Sequence, residues 1–332
     1  MRVLVTGVAG FIGMAVARHL LERGDHVVGV DNLNDYYQVS LKQDRLAELA
    51  LVGGEAFRFH HVDFADHVAF DAALADEEID RICHLGAQAG VRYSLENPRA
   101  YVQSNLAGHV NLLELARHRG IDNTVYASSS SVYGQNAKLP FSVDDRVDHP
   151  ISLYAATKKA DELMSETYAH LYRLPLTGLR FFTVYGPWGR PDMALWIFTK
   201  AILEGRPIPV FNDGKMQRDF TYIDDIVAGV VAGLDKAPAD DGSAKAGGSV
   251  APHAIYNIGN NQSEELGRLI DVIEQACGQQ AVRDYRPMQP GDVPATYADI
   301  EAIKRDLGYR PTTAIDVGVP RFVEWYRAYH GI

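Results

Sequence analysis

The sequence is poor in cysteine and lacks any long apolar run. Cys83 and Cys277 are the only cysteines among 332 residues, which argues against a disulfide framework and favours buried thiols in a cytoplasmic protein. No apolar run reaches the ~18 residues that a membrane span requires. Because the first residues enter an apolar, strand-like segment directly, we expect neither a membrane anchor nor a signal peptide.

Positive charge is also in deficit. The 32 Lys and Arg residues are outnumbered by 43 Asp and Glu residues, and the formal net charge is −11. Nucleic-acid binding relies on a basic surface, so no nucleic-acid partner is expected. An anionic substrate therefore has to be held by local arginines. His60, His61 and His84 lack metal-ligand spacing, and we predict strand positions for them and no metal site.

A glycine motif follows the first apolar segment. Gly7, Gly10 and Gly13 recur at three-residue spacing after the run Val3–Val5. The pyrophosphate of a dinucleotide requires a tight turn, a backbone that approaches it closely, and a helix packed hard on its strand. A helix predicted from about Ile12 offers its N-terminus to the anion. The motif predicts a dinucleotide-binding turn.

An acidic residue ends the second predicted strand. This strand covers His26–Val30, and Asp31 follows it close to the ~20-residue distance from the glycines that dinucleotide-binding folds use. A carboxylate at this point accepts hydrogen bonds from a ribose 2′-hydroxyl and repels a 2′-phosphate. The sequence therefore predicts NAD as cofactor in preference to NADP.

Strand and helix patterns alternate through the first half of the chain. Further strands are predicted over residues 57–63, 81–87, 123–129 and 176–183, and helices from about Ser40, Asp66, Pro98 and Leu153. This alternation predicts an α/β fold, a doubly wound parallel sheet covered by helices on both faces. Ligands of such sheets bind at the carboxyl ends of the strands.

The regular alternation ends after YGPWGRPDMA. We predict a Rossmann domain that binds NAD over residues 1–184 and a smaller, mixed α/β substrate-binding domain over residues 185–332. Some segments of the second part are expected to return to the first domain. Residues 237–253 are rich in small residues, glycine and proline, and they predict a mobile loop.

The segment from Ser128 to Lys158 carries candidate catalytic groups. Tyr154 and Lys158 are four residues apart in YAATK, so they lie on one face of the predicted helix. A free tyrosine has a pKa near ~10, and a neighbouring ammonium stabilises its phenolate. This suits a general base, with a serine hydroxyl from the preceding strand end holding the substrate oxygen. Taken alone, the spacing equally describes a surface aromatic beside a solvated lysine.

The combined motifs resemble the extended short-chain dehydrogenase/reductase superfamily, and within it the nucleotide-sugar epimerases. They are TGVAGFIG, Asp31, HLGAQAGVRYS, ASSSSVYG, YAATK, RFFTVYGPWGRPDM and QRDFTYIDD. Through DNLNDYY and AGVRYSLENP the likeness is closest to members that act on UDP-glucuronate. Two positions depart from the pattern: Gly86 stands where alanine is usual, and Ser129 where threonine is frequent.

The resemblance implies roles for individual residues. Ser129, Tyr154 and Lys158 would be catalytic, with Tyr154 as the base and Lys158 also holding the nicotinamide ribose. Residues implied to bind NAD are Gly7, Gly10, Phe11, Ile12, Gly13, Asp31, Asn32, Asp63, Phe64, Leu85, Ala87, Gln88, Asn105, Ser128, Tyr154, Lys158 and Phe181. Residues implied to bind the UDP-sugar substrate are Arg92, Ser129, Ser130, Ser131, Thr183, Arg190, Arg218 and Arg286.

The implied reaction is a 4-epimerisation of UDP-glucuronate to UDP-galacturonate through a 4-keto sugar, with hydride lost to and regained from NAD. Related dehydratases carry an Asp-Glu pair after the catalytic hydroxyl, and related decarboxylases carry a glutamate. Ser130 and Ser131 occupy these positions here and are not acidic. Arg190 supplies a cation suited to the sugar carboxylate, since a neutral hydroxymethyl group would leave a buried arginine unpaired.

Several alternatives remain open at this point. The enzyme alternatives are a 4-epimerase for a neutral UDP-hexose and a UDP-glucuronate decarboxylase. A protein that senses NAD without catalysis is disfavoured by the intact catalytic residues. A homodimer is expected through the helices that begin near Pro98 and Leu153, because Tyr168, Leu171 and Tyr172 exceed the apolar stripe that one core-facing side requires.

Overall fold

A computed structural model describes residues 1–287 and 293–332. Its centre is a parallel seven-stranded sheet in the order β10-β6-β5-β4-β1-β2-β3. The strands are β1 Arg2–Thr6, β2 His26–Asp31, β3 Phe57–His61, β4 Arg81–His84, β5 Asn123–Ser129, β6 Leu176–Phe181 and β10 His253–Ile258. β5 and β6 are buried almost throughout, as expected where helices cover both faces. The predicted fold class is confirmed.

Helices cover both faces of this sheet. In the first part of the chain they are α1 Phe11–Glu22, α2 Val39–Gly53, α3 His67–Ala73, α4 Tyr93–Glu96, α5 Pro98–Tyr101, α6 Gly108–Arg119 and α7 Leu153–Tyr172. Ser152 caps α7, because its side chain accepts a hydrogen bond from the Ala155 N–H group. α6 and α7 pack together on one face, while α1 packs against α2 on the other.

The remaining elements build a smaller mixed region. β7 Thr183–Tyr185, β9 Gln217–Tyr222 and β11 Ser263–Glu265 form a three-stranded sheet, and β8 Ile208–Phe211 pairs with β12 Arg283–Arg286. The helices here are α8 Ala194–Leu203, α9 Ile223–Asp235, α10 Leu266–Cys277, α11 Glu301–Leu307 and α12 Ile315–His330. β10 extends the central sheet, and α9 packs on α1. The domain boundary at residue 184 stays a prediction.

Three predicted elements differ from the structure. The segment predicted as one strand over residues 176–183 contains two strands, because the chain leaves the central sheet after Phe181 and enters the three-stranded sheet at Thr183. The helix predicted from Pro98 is interrupted by a π-helical turn over Val102–Ala107. The predicted loop ends before His253, which is buried and begins β10.

Three further features bear on the predicted class of protein. Cys83 and Cys277 are both unpaired and buried. Within the described part of the chain, no helix combines the length and apolar content needed to cross a membrane. The same residues contain no group of three or more His, Cys, Asp and Glu side chains arranged to hold a metal ion.

Candidate active site

The glycine turn that joins β1 to α1 leaves almost no room for side chains. Gly7 has a φ of +67°, and a Cβ atom on it would lie 2.7 Å from the Gly86 Cα. A Cβ on Gly13 would lie only 2.0 Å from the Gly7 carbonyl oxygen. Gly10 caps α1 without any side-chain hydrogen bond, which leaves the first N–H groups of the helix available to an anion. This turn fits a pyrophosphate group.

Asp31 ends β2 beside the glycine turn. Its carboxylate accepts hydrogen bonds from the N–H groups of Leu33 at 2.8 Å and Ala9 at 3.2 Å. Burial raises the pKa of Asp31, which the nearby Lys42 ammonium opposes. The carboxylate is therefore held in place at the strand end where the sequence predicts a ribose.

Asn32, Asp63 and Phe64 continue the same edge of the sheet. The Asn32 side-chain amide donates to the Asp63 carboxylate at 3.1 Å, so these two residues fix each other. The Phe64 ring packs so closely on Gly86 that a Cβ there would lie 2.6 Å from it. The glycine that departs from the family pattern thus accommodates this phenylalanine in the present chain.

One cavity brings most of the predicted residues together at the carboxyl ends of β1, β2, β4 and β5. Predicted residues that line it are Gly7, Gly10, Phe11, Ile12, Gly13, Asp31, Asn32, Phe64, Leu85, Ala87, Gln88, Ser128, Ser129, Tyr154, Lys158, Phe181 and Arg190. The lining also contains residues that sequence reasoning missed, among them Asn34, Tyr36, Tyr37, Lys42, Ser104, Phe182 and Met193.

Asn105 lies behind this lining, in the π-helical turn. Its side chain accepts a hydrogen bond from the Gln88 N–H at 2.9 Å and donates to the Gln88 carbonyl oxygen at 3.1 Å. It also donates to the Thr157 hydroxyl at 3.0 Å. Asn105 therefore fixes Gln88, which lines the cavity, and connects it to α7.

The candidate catalytic groups converge from β5 and α7. Tyr154 is partly exposed to the cavity and packs edge-on against Tyr101, with ring centres 5.9 Å apart. Lys158 lies one turn later, is almost completely buried, and donates to the Ala127 carbonyl oxygen at 2.9 Å. The Ser129 hydroxyl accepts a hydrogen bond from the Ser131 N–H at 3.2 Å. A hydroxyl, a phenol and an ammonium thus line one cavity.

Ser128 has a different hydrogen-bond partner from Ser129. Its hydroxyl donates to the Glu162 carboxylate at 2.7 Å. Glu162 is itself paired with Arg180, through contacts of 2.8 Å and 3.0 Å. Burial opposes the ionisation of Glu162, but Arg180 holds the pKa of this carboxyl below its usual value. Ser128 thus attaches the end of β5 to α7 through a carboxylate that is itself held by a buried ion pair with β6.

Arg190 enters the cavity from the loop that follows β7. Its Nε donates to the Asp192 carboxylate at 3.0 Å, and a second, short contact joins the same two side chains. Burial lowers the pKa of Arg190, but Asp192 outweighs this and raises it. Arg190 was predicted to require a substrate carboxylate as its counter-ion. The structure corrects this part of the argument, because Asp192 already balances the charge.

A buried arginine supports the Arg190 loop from behind. Arg45 is fully buried and donates to the carbonyl oxygens of Ala9, Trp188 and Gly189 at 2.9, 2.6 and 3.1 Å. It therefore links the glycine turn to the residues that precede Arg190. No sequence motif indicates this role, since the acceptors are main-chain atoms distant along the chain.

The other predicted substrate residues lie outside this lining. Ser130 and Ser131 form a short helical turn after β5, and Thr183 begins β7. The Arg92 guanidinium lies 5.5 Å from the centre of the Phe211 ring. Arg286 is the β-sheet partner of the same phenylalanine. Of the predicted site residues, all of which the structure describes, those that do not line the cavity are Asp63, Arg92, Asn105, Ser130, Ser131, Thr183, Arg218 and Arg286.

Comparison with known proteins gives consistent matches over the whole chain. Residues 3–259 match the NAD dependent epimerase/dehydratase family. The chain is 48% identical to a probable UDP-glucuronate 4-epimerase of Rhizobium meliloti, over 98% of this chain and 97% of that one.

Two solved structures share the fold closely. One is UDP-glucuronic acid 4-epimerase from Bacillus cereus in complex with UDP-glucuronic acid and NAD, with a TM-score of 0.86 and 32% identity over 99% of this chain and 100% of that one. The other is UDP-glucose 4-epimerase from Thermotoga maritima with UDP-glucose, with a TM-score of 0.86, 29% identity and the same coverage. The fold by itself does not separate an acidic sugar from a neutral one.

Proposed function

The chain belongs to the NAD dependent epimerase/dehydratase family, and we propose that it is an NAD-dependent 4-epimerase that converts UDP-glucuronate to UDP-galacturonate. The observation that carries this proposal is the single cavity lined by Ser129, Tyr154, Lys158 and Arg190. It combines groups for proton transfer with a cation for an acidic sugar. The likeness to the Rhizobium and Bacillus proteins supports the same substrate.

The residues of the cavity fit NAD. A Cβ atom on Gly7 or Gly13 would lie only 2.7 Å or 2.0 Å from a main-chain atom, so neither position has room for a side chain. The main chain at this turn can therefore approach a pyrophosphate closely. Asp31 would hold the adenosine ribose, and Phe64 would lie beside the adenine. The nicotinamide would supply reversible hydride transfer at C4 of the sugar.

Tyr154 carries the proton transfer. Its phenolate removes the proton from the 4-hydroxyl group of the sugar and returns it after the sugar has turned over. The Lys158 ammonium stabilises the phenolate, since a positive charge one helical turn away favours the ionised form. The Ser129 hydroxyl holds the same sugar oxygen in line with Tyr154. The reaction has no net change in protons, so the site requires no second acid.

The sugar carboxylate binds at Arg190. A guanidinium forms paired, charge-assisted hydrogen bonds with a carboxylate, and Ser130, Ser131 and Thr183 fix its orientation. This orientation matters because a 4-keto sugar acid loses CO2 when the carboxylate bond aligns with the carbonyl π system. Ser130 and Ser131 also favour epimerisation over dehydration or decarboxylation, because neither supplies an acidic side chain.

Arg218 and Arg286 hold the diphosphate of the substrate, and Arg92 is a third arginine that binds the UDP-sugar. The Arg92 guanidinium lies over the Phe211 ring, and Arg286 is the β-sheet partner of the same phenylalanine. Local clustering of this kind offsets the overall charge of −11 for an anionic ligand.

A neutral UDP-hexose is the second candidate substrate. The observation that favours it is the pairing of Arg190 with Asp192, which balances the arginine without any substrate carboxylate. The two candidates are separated by incubating the purified protein with NAD and either UDP-glucuronate or UDP-glucose. We expect UDP-galacturonate from the first and much slower conversion of the second. Faster conversion of UDP-glucose would favour the neutral substrate, and release of CO2 by the wild type would indicate a decarboxylase.

We further propose a homodimer in the cytoplasm. Leu163 and Leu171 lie on one face of α7 and are 57% and 60% exposed, and Val102 on the neighbouring helical segment is 48% exposed. Apolar side chains on one face favour a self-complementary, twofold contact. Tyr168 and Tyr172 contribute less than the sequence suggested, because Tyr168 donates to Glu114 and Arg117 covers the Tyr172 ring. The two buried thiols support a cytoplasmic location.

A further inference from the structure

A buried carboxylate lies directly behind the catalytic lysine. The Lys158 Nζ atom is 3.1 Å from the Asp161 Oδ2 atom, and the two side chains are only 3% and 1% exposed. The second carboxylate oxygen of Asp161, Oδ1, is buried and has no hydrogen-bond partner. The Asp161 side chain is therefore held in the interior mainly by its contact with Lys158.

The histidine and tyrosine side chains near this pair are uncharged. His84 on β4 and His109 on α6 are both buried, and burial lowers the pKa of each, to about 3 for His109. His109 contacts the Ser165 hydroxyl at 2.9 Å and the main chain of Asp161. Tyr126 on β5 also stays neutral, because burial raises its pKa well above the ordinary value.

The nearest other carboxylate on α7 has its own counter-ion. Glu162 binds Arg180 of β6 through both oxygens and also contacts Lys159 at 3.2 Å. Its charge is therefore largely balanced by these two cations. Asp161 is the carboxylate whose charge bears directly on Lys158.

We propose that Asp161 is a positioning residue for the reaction: it holds the Lys158 ammonium beside Tyr154, and its negative charge limits how strongly Lys158 favours the Tyr154 phenolate. This inference rests on the proposed function only in assigning Tyr154 and Lys158 to proton transfer. Lys158 lies between the other two residues along α7, at four residues from Tyr154 and three from Asp161. The field at the phenol is thus the sum of a near positive and a more distant negative charge.

The size of the effect follows from this spacing. Seven residues of α-helix span about 10 Å along the axis, and a unit charge still acts on the phenol over that distance at an effective dielectric constant of ~20. Removing the Asp161 charge should therefore lower the pH at which Tyr154 loses its proton by about one unit.

The test uses Asp161→Asn, which keeps the shape and one oxygen acceptor but removes the charge. Tyrosinate absorbance is titrated in the NAD-loaded protein with and without Tyr154→Phe, so that the difference isolates Tyr154 from the 17 tyrosines of the chain. We expect the midpoint and the acid limb of kcat/KM to fall together in Asp161→Asn. An unchanged midpoint would overturn the proposal. A higher midpoint would also overturn it, because Lys158 would then have lost its charge.

Two further variants keep the result interpretable. Glu166→Gln removes the same charge from the same helix, at a side chain that is 41% exposed, and should leave the midpoint unchanged. If the midpoint fell equally in Glu166→Gln, the shift would come from the total charge of α7 and not from Asp161 in particular. That result would contradict the proposal. Asp161→Ser repeats the test if Asp161→Asn does not fold.

The titration does not require a substrate. A fall in the midpoint together with no turnover of UDP-glucuronate would refute the proposed function and leave this inference standing. Normal turnover of UDP-glucuronate together with an unchanged midpoint in Asp161→Asn would support the proposed function and refute this inference.

Discussion

Arg190 and Asp192 form an ion pair at the wall of the candidate active site. The Arg190 Nε lies 3.0 Å from the Asp192 carboxylate, and the Tyr36 hydroxyl donates to the same carboxylate at 3.0 Å. The Arg190 guanidinium also lies 5.8 Å from the centre of the Tyr36 ring. A substrate carboxylate bound here would therefore contact an arginine that Asp192 already orients and partly neutralises.

Substitution of Arg190 tests the carboxylate site. We expect Arg190→Ala to raise the KM for UDP-glucuronate about tenfold or more, since a hydrogen bond to a charged group is worth ~1.5–3 kcal/mol. Loss of orientation should also release CO2 and a 4-keto-pentose nucleotide. Initial rates over a substrate series and mass spectrometry of the products measure both effects. An unchanged KM would show that Arg190 does not contact the carboxylate.

Asp192→Asn is the matched variant for this experiment. It keeps Arg190 but removes the competing anion, so the KM for UDP-glucuronate should fall, in the opposite direction to Arg190→Ala. A rise in KM in both variants would mean that the pair acts only to hold the loop in place.

Tyr154→Phe tests the assignment of the base. The substitution removes the phenolic oxygen but keeps the ring that packs against Tyr101. Turnover should fall by ~10²–10⁴, the usual effect of losing a general base, while the affinities for UDP-glucuronate and NAD stay close to those of the wild type. Calorimetric titration of the variant measures these affinities independently of turnover. Activity near that of the wild type would contradict the assignment.

The predicted residues that line the cavity belong to short motifs whose structure is determined locally. The glycine turn and Asp31 follow from requirements of a strand–turn–helix unit that are visible within a short segment. The placement of Tyr154 and Lys158 one helical turn apart follows from their spacing alone. Such features are predictable because the residues that satisfy one another are close along the chain.

The supporting residues were missed for the opposite reason. Arg45 is separated by more than a hundred residues from the Trp188 and Gly189 carbonyls that it binds, and main-chain acceptors leave no trace in the sequence. The break between β6 and β7 depends on which sheet each segment joins. Asp161 has the sequence pattern of a solvated helix residue, and it becomes buried only because α6 packs against α7.

We predict that Asp31 determines the choice between NAD and NADP. Its carboxylate is fixed by two main-chain N–H groups, so it is not free to turn away from a 2′-phosphate. Protein stripped of cofactor should regain activity with NAD and much less with NADP. Asp31→Asn should narrow this preference by weakening the repulsion. Equal reactivation of the wild type by both cofactors would contradict the prediction.

Leu163 and Leu171 test the dimer. Because they occupy one exposed face of α7, Leu163→Glu combined with Leu171→Glu should convert the protein to a monomer in light scattering at micromolar concentration. Leu51→Glu, at an 82% exposed leucine on α2, is the control and should stay dimeric. A wild-type mass equal to one chain would refute the dimer directly.

Asp161 predicts an unusual dependence of stability on pH. Burial raises its pKa to about 6 from the value of 3.8 expected in an unfolded chain. The folded state therefore binds the proton more tightly, and this group stabilises the fold below pH 3.8 and loses that contribution as the pH rises through about 6. The difference between the two pKa values corresponds to about 3 kcal/mol. At neutral pH the ionised, buried carboxylate lowers the free energy of unfolding by this amount.

Asp161→Asn resembles the protonated side chain at every pH. Urea unfolding should therefore show the variant to be more stable than the wild type at about pH 8, by up to about 3 kcal/mol, with the difference shrinking as the pH falls toward 4. Asp76→Asn, at an exposed position, should show no such trend. A wild type that is the more stable protein at pH 8 would mean that the ion pair with Lys158 outweighs burial. If the variant is stabilised and its Tyr154 titrates at a lower pH, then the chain keeps in its core a destabilising charge that sets the pH at which Tyr154 loses its proton.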